Sequence, residues 1–134
     1  DIEITIADIE SDRLEEIGIH MPNVSKRIRM AYLTGSIFFA VTDKLKAQLH
    51  MLGNTEVLIL SMRGVPSIDL SGIQALLELR EELEREGITV MLTSVQPKVL
   101  EDLRRGGLIE AVGEDHVFDS AEYAIVHAHE EIEA

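Results

Sequence analysis

The four consecutive residues Val57-Leu58-Ile59-Leu60 leave no polar position on either side of the chain. A strand sends successive side chains to opposite faces, so a strand that is apolar throughout is covered on both. That is the pattern of a parallel strand enclosed by helices. A second buried strand is expected over residues 88–92. Between the two lie a loop, residues 62–68, and a helix running from Leu70 to Glu86 and closed by Gly87. Ile73, Leu76, Leu77 and Leu83 give that helix an apolar stripe. Glu78, Glu81, Glu82 and Arg85 face water, with Glu81 and Arg85 at pair spacing. Pro97 opens the next helix, Gly106-Gly107 stops it, Val117-Phe118 forms a last short strand, and Ser120 caps a final helix to about His129.

Upstream, Ile28, Met30 and Tyr32 alternate with basic or small residues. Thr34-Gly35 then turns the chain into Ser36-Ile37-Phe38-Phe39, which predicts a strand pair. Thr42 or Asp43 caps a helix to about Leu52, with Leu45, Leu49 and Leu52 on one face and Gly53-Asn54 at its end. Strands alternating with helices of this length give crossovers and a mostly parallel sheet. The expected fold is α/β, with about four or five strands and four or five helices, entered by a hairpin. Strands 57–60 and 88–92 should be parallel neighbours with the Leu70 helix packed across them. Residues 1–22 read as a linker: Ile2, Ile4 and Ile6 alternate in strand fashion, and residues 11–17 resemble a helical turn. The domain proper is expected over residues 23–134.

At 134 residues the chain is the size of one domain, and no apolar run approaches the roughly 20 residues of a membrane-spanning helix. The absence of cysteine excludes disulfides and thiolate metal sites. The net charge of -13 is uneven: residues 1–16 carry -6, residues 17–109 carry +1 and residues 110–134 carry -8. Such a body is repelled by phosphate backbones and anionic headgroups, so nucleic acid and a lipid surface are poor partners. The chain opens at Asp1 without a start methionine or leader, so a fragment of something longer is expected.

The most informative stretch is Val65-Pro66-Ser67-Ile68-Asp69-Leu70-Ser71-Gly72-Ile73. Asp69 is suited to be the N-cap, accepting from the amide of Ser71 or Gly72, which places Ser71 in the first helical turn. Three readings stay open. Asp69 and Ser71 are good first-turn residues; or Ser71 accepts a phosphate that the free amides and helix dipole stabilise and Asp69 opposes; or the amides between Ser67 and Gly72 cradle an anion or a nucleotide phosphate. No Ser/His/Asp arrangement, paired-carboxylate motif or Walker loop is recognisable, so no enzyme is expected, and no cofactor. His127 and His129 point about 200° apart on a helix and cannot share an ion, while His20, His50 and His116 stand singly as surface or cap residues. The loops 62–68 and 93–96 follow adjacent buried strands and should share one edge of the sheet. Thr93, Ser94 and Gln96, together with a basic patch of Lys98, Arg104 and Arg105, are the expected interaction surface. Arg104 and Arg105 also suit a helix C-terminus.

Four segments in order, Gly35-Ser36-Ile37-Phe38-Phe39-Ala40, the Val65 to Gly72 stretch, Gln96-Pro97-Lys98-Val99-Leu100 through Leu103-Arg104-Arg105-Gly106-Gly107-Leu108, and Val117-Phe118-Asp119-Ser120-Ala121, closely resemble the STAS domain of SulP-type anion transporters. The resemblance implies a regulatory and interaction domain at the cytoplasmic face of the bacterial inner membrane, attached to the transporter's membrane domain by residues 1–22. It implies sulfate or a similar anion as cargo, transport chemistry outside this chain and a cytoplasmic regulatory partner; the missing membrane span and the acidic tails predict a soluble monomer or weak dimer when isolated. The fold also resembles free-standing anti-sigma-factor antagonists switched by phosphorylation. Ser71, immediately before Gly72, matches their phosphorylated serine, and Leu70 stands where they carry a second one. Phe38-Phe39 after Gly35-Ser36 fits the transporter branch better.

Overall fold

The computed structural model describes residues 3–36, 41–50 and 53–133. Five strands, β1 (Glu3–Asp8), β2 (Ile28–Thr34), β3 (Val57–Gly64), β4 (Thr89–Thr93) and β5 (Val117–Phe118), form one sheet in the order β1-β2-β3-β4-β5. β1 is antiparallel to β2, and the other three pairs are parallel. The helices are α1 (Ser11–Glu16), α2 (Val41–His50), α3 (Leu70–Arg85), α4 (Pro97–Arg105), α5 (Leu108–Val112) and α6 (Ala121–Glu133), with a 3-10 turn at Glu114–His116. The expected parallel pairing of the two apolar strands is present, with Leu58 opposite Val90 and Leu60 opposite Leu92.

Strand alternation divides β3 between two cores. Leu58, Leu60 and Met62 join Leu33 and Leu92 beneath Leu45 and Leu49 of α2, Leu76 and Leu79 of α3, Leu103 of α4 and Ile109 of α5. Val57 and Ile59 point the other way, joining Ile28, Met30 and Met91 beneath Leu14 of α1 and Ala124, Ile125 and Ala128 of α6. Each fully buried aliphatic side chain contributes about 1.5–3 kcal/mol of transfer free energy, so a strand buried on both sides anchors helices on both. Across the first layer, Lys46 of α2 donates to Glu82 of α3 at 2.7 Å. That hydrogen bond holds the lysine above, and the glutamate below, its usual ionisation range. Glu82 therefore meets α2 instead of facing water, and the i,i+4 ion pair within α3 is Arg80 with Glu84 at 2.5 Å.

Several sequence expectations meet a different outcome. The antiparallel partner of β2 is β1, with Ile4 opposite Leu33 and Ile6 opposite Ala31, because those isoleucines pack onto the α2 core. The strand expected at Ser36 to Phe39 falls largely outside the described residues, as do Ala40 and the Leu52 end of the helix. The segment 1–22, read as a linker with a strand-like alternation and a helical turn, carries this edge strand and α1, so the sheet already begins at Glu3. Finally, α5 and the 3-10 turn stand where no element was expected, since five residues are too few to show a helical period.

Gly106 and Gly107 end α4 by different means. Gly107 adopts φ +87, a left-handed conformation that side chains resist. Gly106 has an ordinary φ of -82, but a Cβ there would lie 2.6 Å from Ile73 Cγ2. Ile73 is buried, and a β-branched residue in a helix has one favoured χ1, so it yields poorly. Gly106→Ala should therefore lower stability by about 1–3 kcal/mol. The measurement is a urea melt, in which the midpoint should fall at constant slope; a wild-type midpoint would mean that α3 and α4 are not in this close contact.

Candidate functional site

β2, β3 and β4 run in one direction, so the loops that follow them gather at one edge. There they are tied to one another. The amide of Gly35 donates to the carbonyl of Gly64 at 2.9 Å, and the hydroxyls of Ser36 and Ser67 lie 2.9 Å apart in a hydrogen bond. Gln96 Nε2 donates to the carbonyl of Arg63 at 2.9 Å, so its side chain serves the loop. Ser94 bends the chain out of β4 at φ +58, unusual for a residue with a Cβ, and its amide donates to the Phe118 carbonyl at 3.2 Å. Beneath, Val65 and Ile68 sink into the core, which leaves Pro66, Ser67 and Asp69 exposed.

Asp69 is the N-cap of α3. Its backbone is extended and its Oδ1 accepts from the Gly72 amide at 2.8 Å, while its carbonyl accepts from the Ile73 amide at 3.0 Å. Ser71 consequently stands exposed in the first turn, beside Leu70, which is 66% exposed. Leu70, Ile68, Ile73, Asp102, Arg105 and Gly106 line a shallow groove between the start of α3 and the end of α4. Ser67, Asp69 and Ser71 thus share one short stretch of surface, while Gly72 is buried beneath it.

The rest of the expected interaction surface is not brought together as such. Thr93 is fully buried: as the last residue of β4 it points with Met91 toward the α6 side, and a partner cannot reach it. Its hydroxyl and that of Ser94 are enclosed without a hydrogen-bond partner. The basic patch is largely offset from within. Lys98 and Arg105 both donate to Asp102 Oδ1, at 3.2 and 2.7 Å. Arg105 first, and then Lys98, hold that carboxyl below the usual carboxylate range. Arg104 pairs with Glu114. These cations brace α4 and the turn after α5, and with three of them sharing two carboxylates the patch keeps a single net positive charge.

His129 lines a depression with residues 19–23, away from the loop edge. His116, read from the sequence as solitary, is not: it and His127 both meet Glu131. The signal in the sequence was the His127/Glu131 spacing of four, one helical turn on a common face.

The family model described as the STAS domain matches residues 21–124. Solute carrier family 26 member 9 of Mus musculus is 38% identical over 73 residues, 53% of this chain and 9% of that protein. The chain spans about a tenth of the length of the curated relatives it matches first. A sulfate transporter family protein from Wolinella succinogenes superposes with TM-score 0.74 at 38% identity, covering 83% of this chain and 92% of that one. The SulP transporter STAS domain from Vibrio cholerae gives TM-score 0.74 at 30% identity, covering 92% and 95%. The unphosphorylated anti-sigma factor antagonist SpoIIAA shares the fold, with TM-score 0.61 at 20% identity over 80% and 92% of the two chains.

The capping geometry gives a direct expectation. Asp69→Ala removes the acceptor of the Gly72 amide and should cost about 0.5–2 kcal/mol, whereas Asp69→Asn, which caps nearly as well, should cost less. Thermal melts of both variants check this order, and equal wild-type midpoints would remove the cap from the stability of α3.

Proposed function

Because the chain belongs to the STAS domain family, we propose that it is the cytoplasmic regulatory and interaction domain of a SulP-type secondary anion transporter, with sulfate the first candidate cargo. The observation that carries this reading is the likeness at 30–38% identity to two transporter-derived chains, each covered over more than nine-tenths of its length. The likeness to SpoIIAA, at 20% identity, speaks for the fold alone, so the free-standing antagonist is the second reading. No helix among the described residues is long and apolar enough to cross a membrane, and the membrane domain in this proposal lies elsewhere in the parent protein. The domain catalyses nothing in this scheme. It acts by biasing the transporter between conformations or by recruiting a cytoplasmic partner, either of which requires a surface whose state can change.

The loop edge supplies that surface, and Ser71 is its switchable residue. Its hydroxyl is exposed at the positive end of a 16-residue helix, so an added phosphate of about -1.5 to -2 charges meets the helix dipole without entering the core. The Asp69 carboxylate opposes it, and the Gly72 amide is already committed to that carboxylate. A phosphate on Ser71 therefore alters the surface beside Leu70 more than it stabilises the helix.

Ser71→Glu in the isolated domain should leave stability within about 1 kcal/mol of wild type. In the intact transporter, Ser71→Glu and Ser71→Ala should differ in anion uptake by about fivefold or more, the size of a 1 kcal/mol coupling. If both take up anion as wild type does, Ser71 is no switch. The parent is tested separately by the reading frame upstream of residue 1: several apolar spans of roughly 20 residues are expected, and a start codon at that point would favour the antagonist.

A further inference from the structure

Outside the loop edge, His116, His127 and Glu131 converge at the open side of α6. His127 and Glu131 lie one turn apart on the helix, and His116 ends the 3-10 turn that leads into β5. Both imidazoles direct Nε2 at the same oxygen, Glu131 Oε2, each at 2.7 Å. The rings meet edge to face with centroids 5.7 Å apart, and Phe118 packs 5.3 Å from the His127 ring. One ligand atom from each residue falls within 4.8 Å of the others, the one such trio of histidine and carboxylate donors among the described residues.

We propose that His116, His127 and Glu131 form a binding site for a divalent transition-metal ion of the zinc class, with a fourth position open to water or to a partner's donor. Two imidazoles and one carboxylate are a donor set that suits zinc, cobalt or nickel and disfavours magnesium and calcium, which take oxygen ligands. Bonds of about 2.0–2.1 Å in a tetrahedral site hold donors about 3.3 Å apart. The carboxylate must thus retreat about 0.6 Å from each imidazole nitrogen, now at 2.7 Å, while the two rings close toward each other. The three side chains keep 25%, 38% and 37% of their surface exposed, which leaves room for that adjustment and an entry path. The surrounding charge favours a cation, since residues 110–134 carry -8. A bound ion would clamp α6 to the 3-10 turn and the β5 edge, joining elements otherwise held there by Ala124, Ile125 and Phe118 on the second core. The site stands whether or not the parent protein is a transporter.

Equilibrium dialysis of the untagged 134-residue chain against Zn2+, with a parallel Co2+ titration followed by its visible spectrum, tests the assignment. One ion per chain is expected, with a tetrahedral Co2+ spectrum that Zn2+ displaces. Loss of a merely supporting partner in a metal site costs about 10–100-fold in affinity, so His116→Gln, His127→Gln and Glu131→Gln should each weaken Kd by more than about tenfold. His129→Gln and His20→Gln should bind as wild type. Circular dichroism of each ion-free variant accompanies the titrations, and because three variants report independently, one that fails to fold leaves two that decide. Absence of Zn2+ from the dialysed wild type, or an unchanged Kd in His116→Gln, overturns the site; the second result would leave only an ordinary helical His/Glu pair.

Discussion

The burial of β3 on both faces is the constraint on which the rest of this structure depends. Its hydrogen bonds are satisfied by β2 on one side and β4 on the other, so its side chains can be given wholly to two cores. Because strand geometry sends Leu58, Leu60 and Met62 one way and Val57 and Ile59 the other, helices are required on both faces. A one-residue slip of register would exchange the two sets and mismatch both layers at once. The same parallel pairing fixes where the loops emerge, and the candidate surface is thereby a consequence of how the core is built.

At that surface the chemistry is more economical than the sequence suggests. Asp69, Gln96, Ser36 and Ser67 spend their polar groups on one another's loops or on the helix end, so the edge is held in shape before any partner arrives. The cations of α4 are likewise committed to Asp102 and Glu114. Among the described residues, the Ser71 hydroxyl, the exposed Leu70 side chain and the shallow groove beside it stay clear of these ties. On an edge held in shape in this way, a charge added at Ser71 would change the surface beside Leu70 and meet the exposed Asp69 carboxylate directly. The far face is built differently, with α6 carrying imidazoles and carboxylates above the core formed by Ala124, Ile125 and Ala128.

The amino-acid sequence alone determined the features that depend on residues near one another in the chain. The apolar run at residues 57–60 specified a doubly covered parallel strand, Gly87 and Gly106-Gly107 specified helix ends, and the three-residue reach from Asp69 to Gly72 specified a cap. The reading of three cations as a basic patch passes over the pairing of Lys98 and Arg105 with Asp102, although Asp102 lies four residues from one and three from the other. Only the tertiary structure decided that Ile4 and Ile6 belong to an edge strand, that Thr93 is sealed beneath α6, that Arg104 reaches Glu114, and that His116 meets His127 and Glu131. The physical reason is the range of the forces involved. Periodicity and capping act within one helical turn and are written in the spacing of residues, whereas which face is covered, and which distant side chains meet there, is settled only when the whole chain closes over its two cores.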